Sequence, residues 1–134
     1  MLKKKIKYMD FNEIEREEDF YFNLTKSEIT EIELSTEGGL VEKIEKIVAA
    51  KDGAEIMTLF KTIILKSYGE KSPDGKRFVK SEDLSIAFSQ TNAYDQLFMS
   101  LVTDPDASSQ FINGIVPAEQ EKYIDAQKPS LNLK

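Results

Sequence analysis

The apolar residues of this chain change period at Thr25, and that change limits which folds remain open. Before it, Leu2, Lys4, Ile6 and Tyr8 share one parity, and Lys3, Lys5, Lys7 and Met9 the other. Phe20, Phe22 and Leu24 alternate in the same way with Asp19, Tyr21 and Asn23. Alternation of this kind, rich in aromatics, predicts two strands. The acidic segment from Asn12 to Glu18 is expected to connect them as an antiparallel hairpin. A hairpin alone is marginal in water, so this one needs a sheet, a helix face or another subunit over it.

After Thr25 the spacing becomes helical. Thr25-Lys26-Ser27-Glu28 is a capping-box pattern in front of Ile29 and Ile32, and Thr36-Glu37-Gly38-Gly39 breaks that helix. Leu40, Val41, Ile44, Ile47 and Val48 repeat at the spacing of a second helix, ended by Lys51-Asp52-Gly53. Ile56, Leu59, Phe60, Ile63 and Ile64, widened by Met57 and Leu65, form the broadest stripe. A stripe that wide predicts a helix buried on more than one side, the central element, stopping near Tyr68-Gly69. Ser72-Pro73-Asp74-Gly75 is a turn signal and predicts a small hairpin or an ordered loop. Ser81 is placed to cap a helix bearing Leu84, Ala87 and Phe88, and Thr91 one bearing Tyr94, Leu97, Phe98, Leu101 and Val102. Asp104-Pro105 opens a helix with Ala107, Phe111 and Ile112, which Asn113-Gly114 is expected to close. The sum is a predominantly helical α+β fold: an N-terminal β-hairpin and about five to six helices. Residues 1–117 read as a single domain, with the hairpin in 1–24 and the helical part in 25–117, and residues 118–134 as a mobile C-terminal tail.

The 134 residues include no Cys, His or Trp. Disulfides, thiolate nucleophiles, zinc–thiolate sites and imidazole bases are therefore excluded. Glu13, Glu15, Glu17, Glu18 and Asp19 could in principle attract a hard cation. Their spacing is not that of an EF-hand and no Gly supplies its turn, so they read as a solvated hairpin connection. Asp104 and Asp106 have the spacing of a metal-holding acid pair, but as N-cap and first-turn acid they already have structural work. The Gly69-to-Lys80 segment carries Lys71, Lys76, Arg77 and Lys80 but no phosphate-loop motif. Ser and Thr hydroxyls lack a base in any recognised pattern. The chain is accordingly read as a non-enzyme, with no catalytic, cofactor-binding or metal-binding residues and no cofactor.

A net charge of −6 argues against nucleic acid as a partner. The longest apolar run, Ile63-Ile64-Leu65, falls far short of the roughly 20 residues of a membrane span. Neither a membrane partner nor a secretory segment is expected, which predicts a cytoplasmic protein. From Leu84 to Pro117 there are only Asp95, Asp104 and Asp106, with no Lys or Arg, making these helices a candidate uncharged contact surface.

The order of several stretches now matters. Asp19-Phe20-Tyr21-Phe22-Asn23-Leu24-Thr25-Lys26 is followed by Leu34-Ser35-Thr36-Glu37-Gly38-Gly39. Ile64-Leu65-Lys66-Ser67-Tyr68-Gly69-Glu70-Lys71-Ser72-Pro73-Asp74-Gly75-Lys76-Arg77-Phe78 comes next. Phe88-Ser89-Gln90-Thr91-Asn92-Ala93-Tyr94 and Phe111-Ile112-Asn113-Gly114-Ile115-Val116-Pro117 complete the series. Over roughly residues 6 to 117 the chain resembles the tail assembly chaperones of long-tailed bacteriophages and prophages. The resemblance implies a non-enzymatic protein of the bacterial host cytoplasm that binds the tape measure protein. It would keep that long helical client soluble for tail-tube polymerisation and be absent from the mature virion. It also implies that this chain is the shorter form, and that the tail-tube protein is met only through a longer, frameshifted product. The residues themselves suggest where contacts would lie. Leu97, Phe98, Leu101, Phe111 and Ile115 are candidates for partner binding, because apolar surface accepts amphipathic helices. Ile6, Tyr8, Phe20 and Phe22 are candidates for self-association into a homo-oligomer, because a hairpin gains from cover. The alternative is a non-enzymatic phage or prophage structural adaptor.

Overall fold

Alternation at the N-terminus gives two paired strands, β1 (Leu2–Met9) and β2 (Glu15–Phe22), in an antiparallel hairpin. The computed structural model describes residues 1–36 and 38–116. Glu37, Pro117 and the expected tail 118–134 lie outside the described residues. The second strand begins earlier than its apolar pattern suggests. Glu15, Glu17, Glu18 and Asp19 belong to β2, and only residues 10–14 form the connection. Charge pairing across the hairpin explains the difference. Lys5 lies opposite Asp19 with ions 3.7 Å apart, and Lys7 opposite Glu17 at 3.5 Å. Opposite charges facing one another across strands stabilise a sheet modestly. The turn is organised by Asp10, whose carboxylate accepts from the amides of Asn12 and Ile14 and from Arg16 Nε at 2.6 Å. The Arg16 bond, followed by the Ile14 amide, holds the Asp10 carboxyl below its ordinary range.

The capping box at Thr25 starts α1 (Lys26–Ser35), followed by α2 (Leu40–Ala50) and α3 (Gly53–Ser67). Thr25 Oγ1 accepts from the Glu28 amide at 3.1 Å, and the Glu28 carboxylate accepts from the Thr25 amide at 2.8 Å. The chain then leaves α3 directly into a strand that has no apolar alternation, β3 (Tyr68–Lys71). It pairs with β2 through Tyr21 opposite Gly69 and Phe22 opposite Tyr68, and with β4 (Phe78–Val79) on its other side. The segment around Pro73-Asp74 is thus a hairpin, and it extends the sheet to four antiparallel strands in the order β1-β2-β3-β4. Gly69 makes this possible. A Cβ there would fall 2.7 Å from both Phe78 Cε2 and the Val79 carbonyl oxygen.

Three capped helices complete the described chain: α4 (Glu82–Ser89), α5 (Asn92–Thr103) and α6 (Pro105–Ile115). Ser81, Thr91 and Asp104 each accept a first-turn amide, as their positions predict. These helices pack on one face of the sheet, α5 and α6 against β1 and α4 against β3. The central helix is α5, not α3. Ala93, Leu97 and Leu101 are all buried, and α5 touches β1, α3, α4 and α6. The wide stripe of α3 reflects contacts with α2, α4 and α5 on different sides, yet only Ile64 and Ser67 are fully enclosed and Met57 is 47% exposed. The core is strongly aromatic. Phe22, with no exposure, meets Phe111 at 5.2 Å and Phe88 at 5.8 Å between ring centroids, and Tyr68 stacks on Phe88 at 4.2 Å. Offset and edge-on rings of this kind contribute beyond their buried area.

Asn113-Gly114 does not end α6, which continues to Ile115. Gly114 instead lets α6 approach β1, since a Cβ would sit 2.9 Å from Leu2 Cδ1. The Ile115 carbonyl, one of the acceptors a helix end leaves open, takes the Leu24 amide at 2.9 Å.

Candidate partner-binding surface

The structure gathers most of the sequence-selected contact residues into one core. Leu97, Leu101, Phe111 and Ile115 are each 2% exposed or less, and Phe98 is half-buried with its ring stacked on Tyr94. Ile6 and Phe22 are buried, while Tyr8 and Phe20 are half-buried on the same face. Phe20 reaches both Tyr8 at 6.2 Å and Phe88 of α4 at 5.3 Å. The cover that the hairpin requires comes from the chain's own α4, α5 and α6. The scarcity of charge from Leu84 to Ile115 has the same origin, because these helices pack against the sheet and each other. Exposed apolar side chains are Phe11 and Ile14 in the hairpin turn, Leu34 on α1, Met57 on α3 and, within the charge-poor stretch itself, Ile86 on α4 and Met99 on α5.

One groove joins exposed apolar surface to a defined shape. It has a volume of about 610 Å3 and runs between α1, the C-terminal half of α3 and the start of α4. Leu24, Ile32, Leu65 and Ile86 supply its apolar lining, and Glu31 of α1 and Glu82 of α4 add acids to it. Its walls are fixed by polar contacts. Lys80 Nζ donates to both Glu28 carboxylate oxygens at 2.8 and 2.7 Å and to the Lys66 carbonyl at 3.2 Å. Ser85 Oγ donates to the Leu65 carbonyl at 2.9 Å, tying α4 to α3. Partial burial pushes the Glu28 carboxyl up, but bonds from Lys80 and the Thr25 amide outweigh it and leave its pKa lowered. Glu28 therefore caps α1 and anchors it to the α3–α4 corner as a carboxylate.

One signal for this groove was present in the sequence: Ile86 lies off the apolar stripe of its helix. The Lys80–Glu28 contact spans 52 positions and has no local signature. The other candidate segments have structural roles. The Gly69-to-Lys80 segment forms β3, the turn and β4, and Asp104 accepts the Asp106 amide at 3.0 Å as N-cap of α6. Among the described residues, no group of three or more acids is placed to hold a metal ion, and no helix is long and apolar enough to cross a membrane.

A family model for phage tail assembly chaperones matches residues 1–133. The chain belongs to the phage tail assembly chaperone family. The match extends past the stretch of residues 6 to 117 on which the resemblance rested. No curated protein and no solved structure matches the chain. Membership implies a protein partner in tail assembly. In this tail assembly chaperone the groove joins apolar area to a lining that holds Glu28, Glu31, Glu82, Lys66 and Lys80.

Proposed function

We propose that this tail assembly chaperone binds the tape measure protein and keeps it soluble until tail-tube subunits polymerise around it. The family match over residues 1–133 carries this reading. Two features support it. Exposed apolar residues such as Leu34 and Ile86 can accept the stripe of a helical client. The net charge of −6 favours solubility of a coated complex. Several copies coat the client reversibly, without catalysis or a cofactor, in the host cytoplasm, and they leave before the virion is complete.

Co-expression with the tape measure protein of the same phage or prophage tests this. The soluble fraction of the client should rise, and both chains should elute together on sizing chromatography. No gain in solubility together with no complex refutes the proposal. Purified virions should lack the chain, whereas a structural adaptor would remain in them.

A further inference from the structure

The groove between α1, α3 and α4 restricts the backbone that can occupy it. Four of its polar side chains are already engaged with the chain's own groups. Lys80 is held by Glu28 and the Lys66 carbonyl, Ser85 by the Leu65 carbonyl, and Ser81 by the Leu84 amide. Among the described residues, no buried side-chain polar atom lacks a partner. An extended peptide would bring unpaired amides and carbonyls to walls with no strand edge to receive them. A helix brings a backbone that is already satisfied, and so fits an apolar lining of Leu24, Ile32, Leu65 and Ile86. Charge narrows the occupant further. Glu28 and Lys80 neutralise each other, leaving Glu31 on the α1 wall and Glu82 on the α4 wall as the remaining acids, with Lys66 on the α3 wall. A helix with Lys or Arg flanking its apolar stripe complements those two acids. A second copy of this chain, itself at −6, is a poorer electrostatic match.

We propose that this groove seats one amphipathic, basic-flanked helix of the client, its apolar stripe on Ile32, Leu65 and Ile86 and its basic residues against Glu31 and Glu82. The assignment rests on the reading of the chain as a chaperone of the tape measure protein. Ile86 is 47% exposed at the mouth of the groove, so it can be changed without opening the core.

The absence of Cys makes the test clean, because Ile86→Cys gives the full-length chain a single thiol. That thiol is labelled with a benzophenone maleimide and irradiated in the complex with the co-expressed tape measure protein. Lys7→Cys, on the sheet face away from the helices, serves as the control. A cross-link to the tape measure protein from position 86 and little from position 7 is the expected result. Ile86→Glu should lower recovery of the client about tenfold with an unchanged melting temperature. Equal cross-linking from both positions overturns the proposal, as does cross-linking from position 86 only to a second copy or to this chain's own residues 117–134. Client kept soluble without a cross-link at position 86 overturns the groove assignment and leaves the chaperone reading standing. Failure of the unmodified chain to solubilise the client overturns both.

Discussion

Replacing Lys80 by Met tests whether one ion pair positions α1. Lys80 Nζ lies 2.7 Å from Glu28 Oε2, with the two side chains 20% and 37% exposed. Exposed pairs contribute ~0.2–1 kcal/mol, whereas breaking a fully buried one costs ~3–5 kcal/mol. This pair lies between those limits, so Lys80→Met is expected to cost ~1–2 kcal/mol after allowing for solvent screening. Met keeps much of the aliphatic stem, which separates the lost charge from lost packing. Glu28→Gln preserves the capping-box geometry, since Gln also serves at that position. Urea unfolding of both single variants and the double variant should give a coupling of about 1 kcal/mol. The pH dependence has a definite sign. The Glu28 carboxyl is lowered from its ordinary value of 4.5, so its contribution is complete above that pH. The contribution is lost as pH falls through the folded-state value, and Lys80→Met should flatten this acid limb. Amide exchange in α1 should accelerate in the same variant. A coupling below about 0.3 kcal/mol, with unchanged exchange in α1, refutes the anchoring role.

Three further outcomes follow from the packing. Gly69→Ala places a methyl group 2.7 Å from the Val79 carbonyl and Phe78, so thermal melting should show a loss of ~1–3 kcal/mol as β4 is forced off β3. Phe22→Ala removes a fully enclosed ring that meets Tyr68, Phe88 and Phe111, and urea unfolding should show a cost of ~3–5 kcal/mol. Burial, with Glu70 nearby, raises the Tyr68 phenol to about 12, so spectrophotometric titration should find it still protonated at pH values where an ordinary tyrosine has ionised. The same shift makes its contribution to stability complete below pH 10.0 and lost as pH rises through about 12.

The elements that could be read from the sequence are those whose cause is local. Thr25, Ser81, Thr91 and Asp104 act as caps because the side chain of each accepts an amide of its own first turn. β1 is legible because its alternation alone separates a buried from an exposed face. The first half of β2 and the whole of β3 are not, because partners define them. Glu15 to Asp19 become a strand against the Lys residues of β1, and Tyr68 to Lys71 against β2 and β4. The candidate site divides along the same line. A helical stripe such as Leu97, Phe98 and Leu101 looks the same whether it faces the chain's own sheet or a client, so periodicity could mark apolar surface without saying which side covers it. The apolar residue off the stripe is more informative about partners. Burial within the fold accounts for Leu84 and Phe88 on α4, whereas Ile86 stays 47% exposed among the described residues. Leu97, Leu101, Phe111 and Ile115 of the charge-poor helices thus supply core, and the candidate surface lies at the corner of α1 and α4, which takes Ile86 from the same charge-poor stretch. There, Glu28 and Lys80 tie the walls together while Ile86 keeps its apolar side chain in solvent, which is why position 86 is where the cross-linking test is placed.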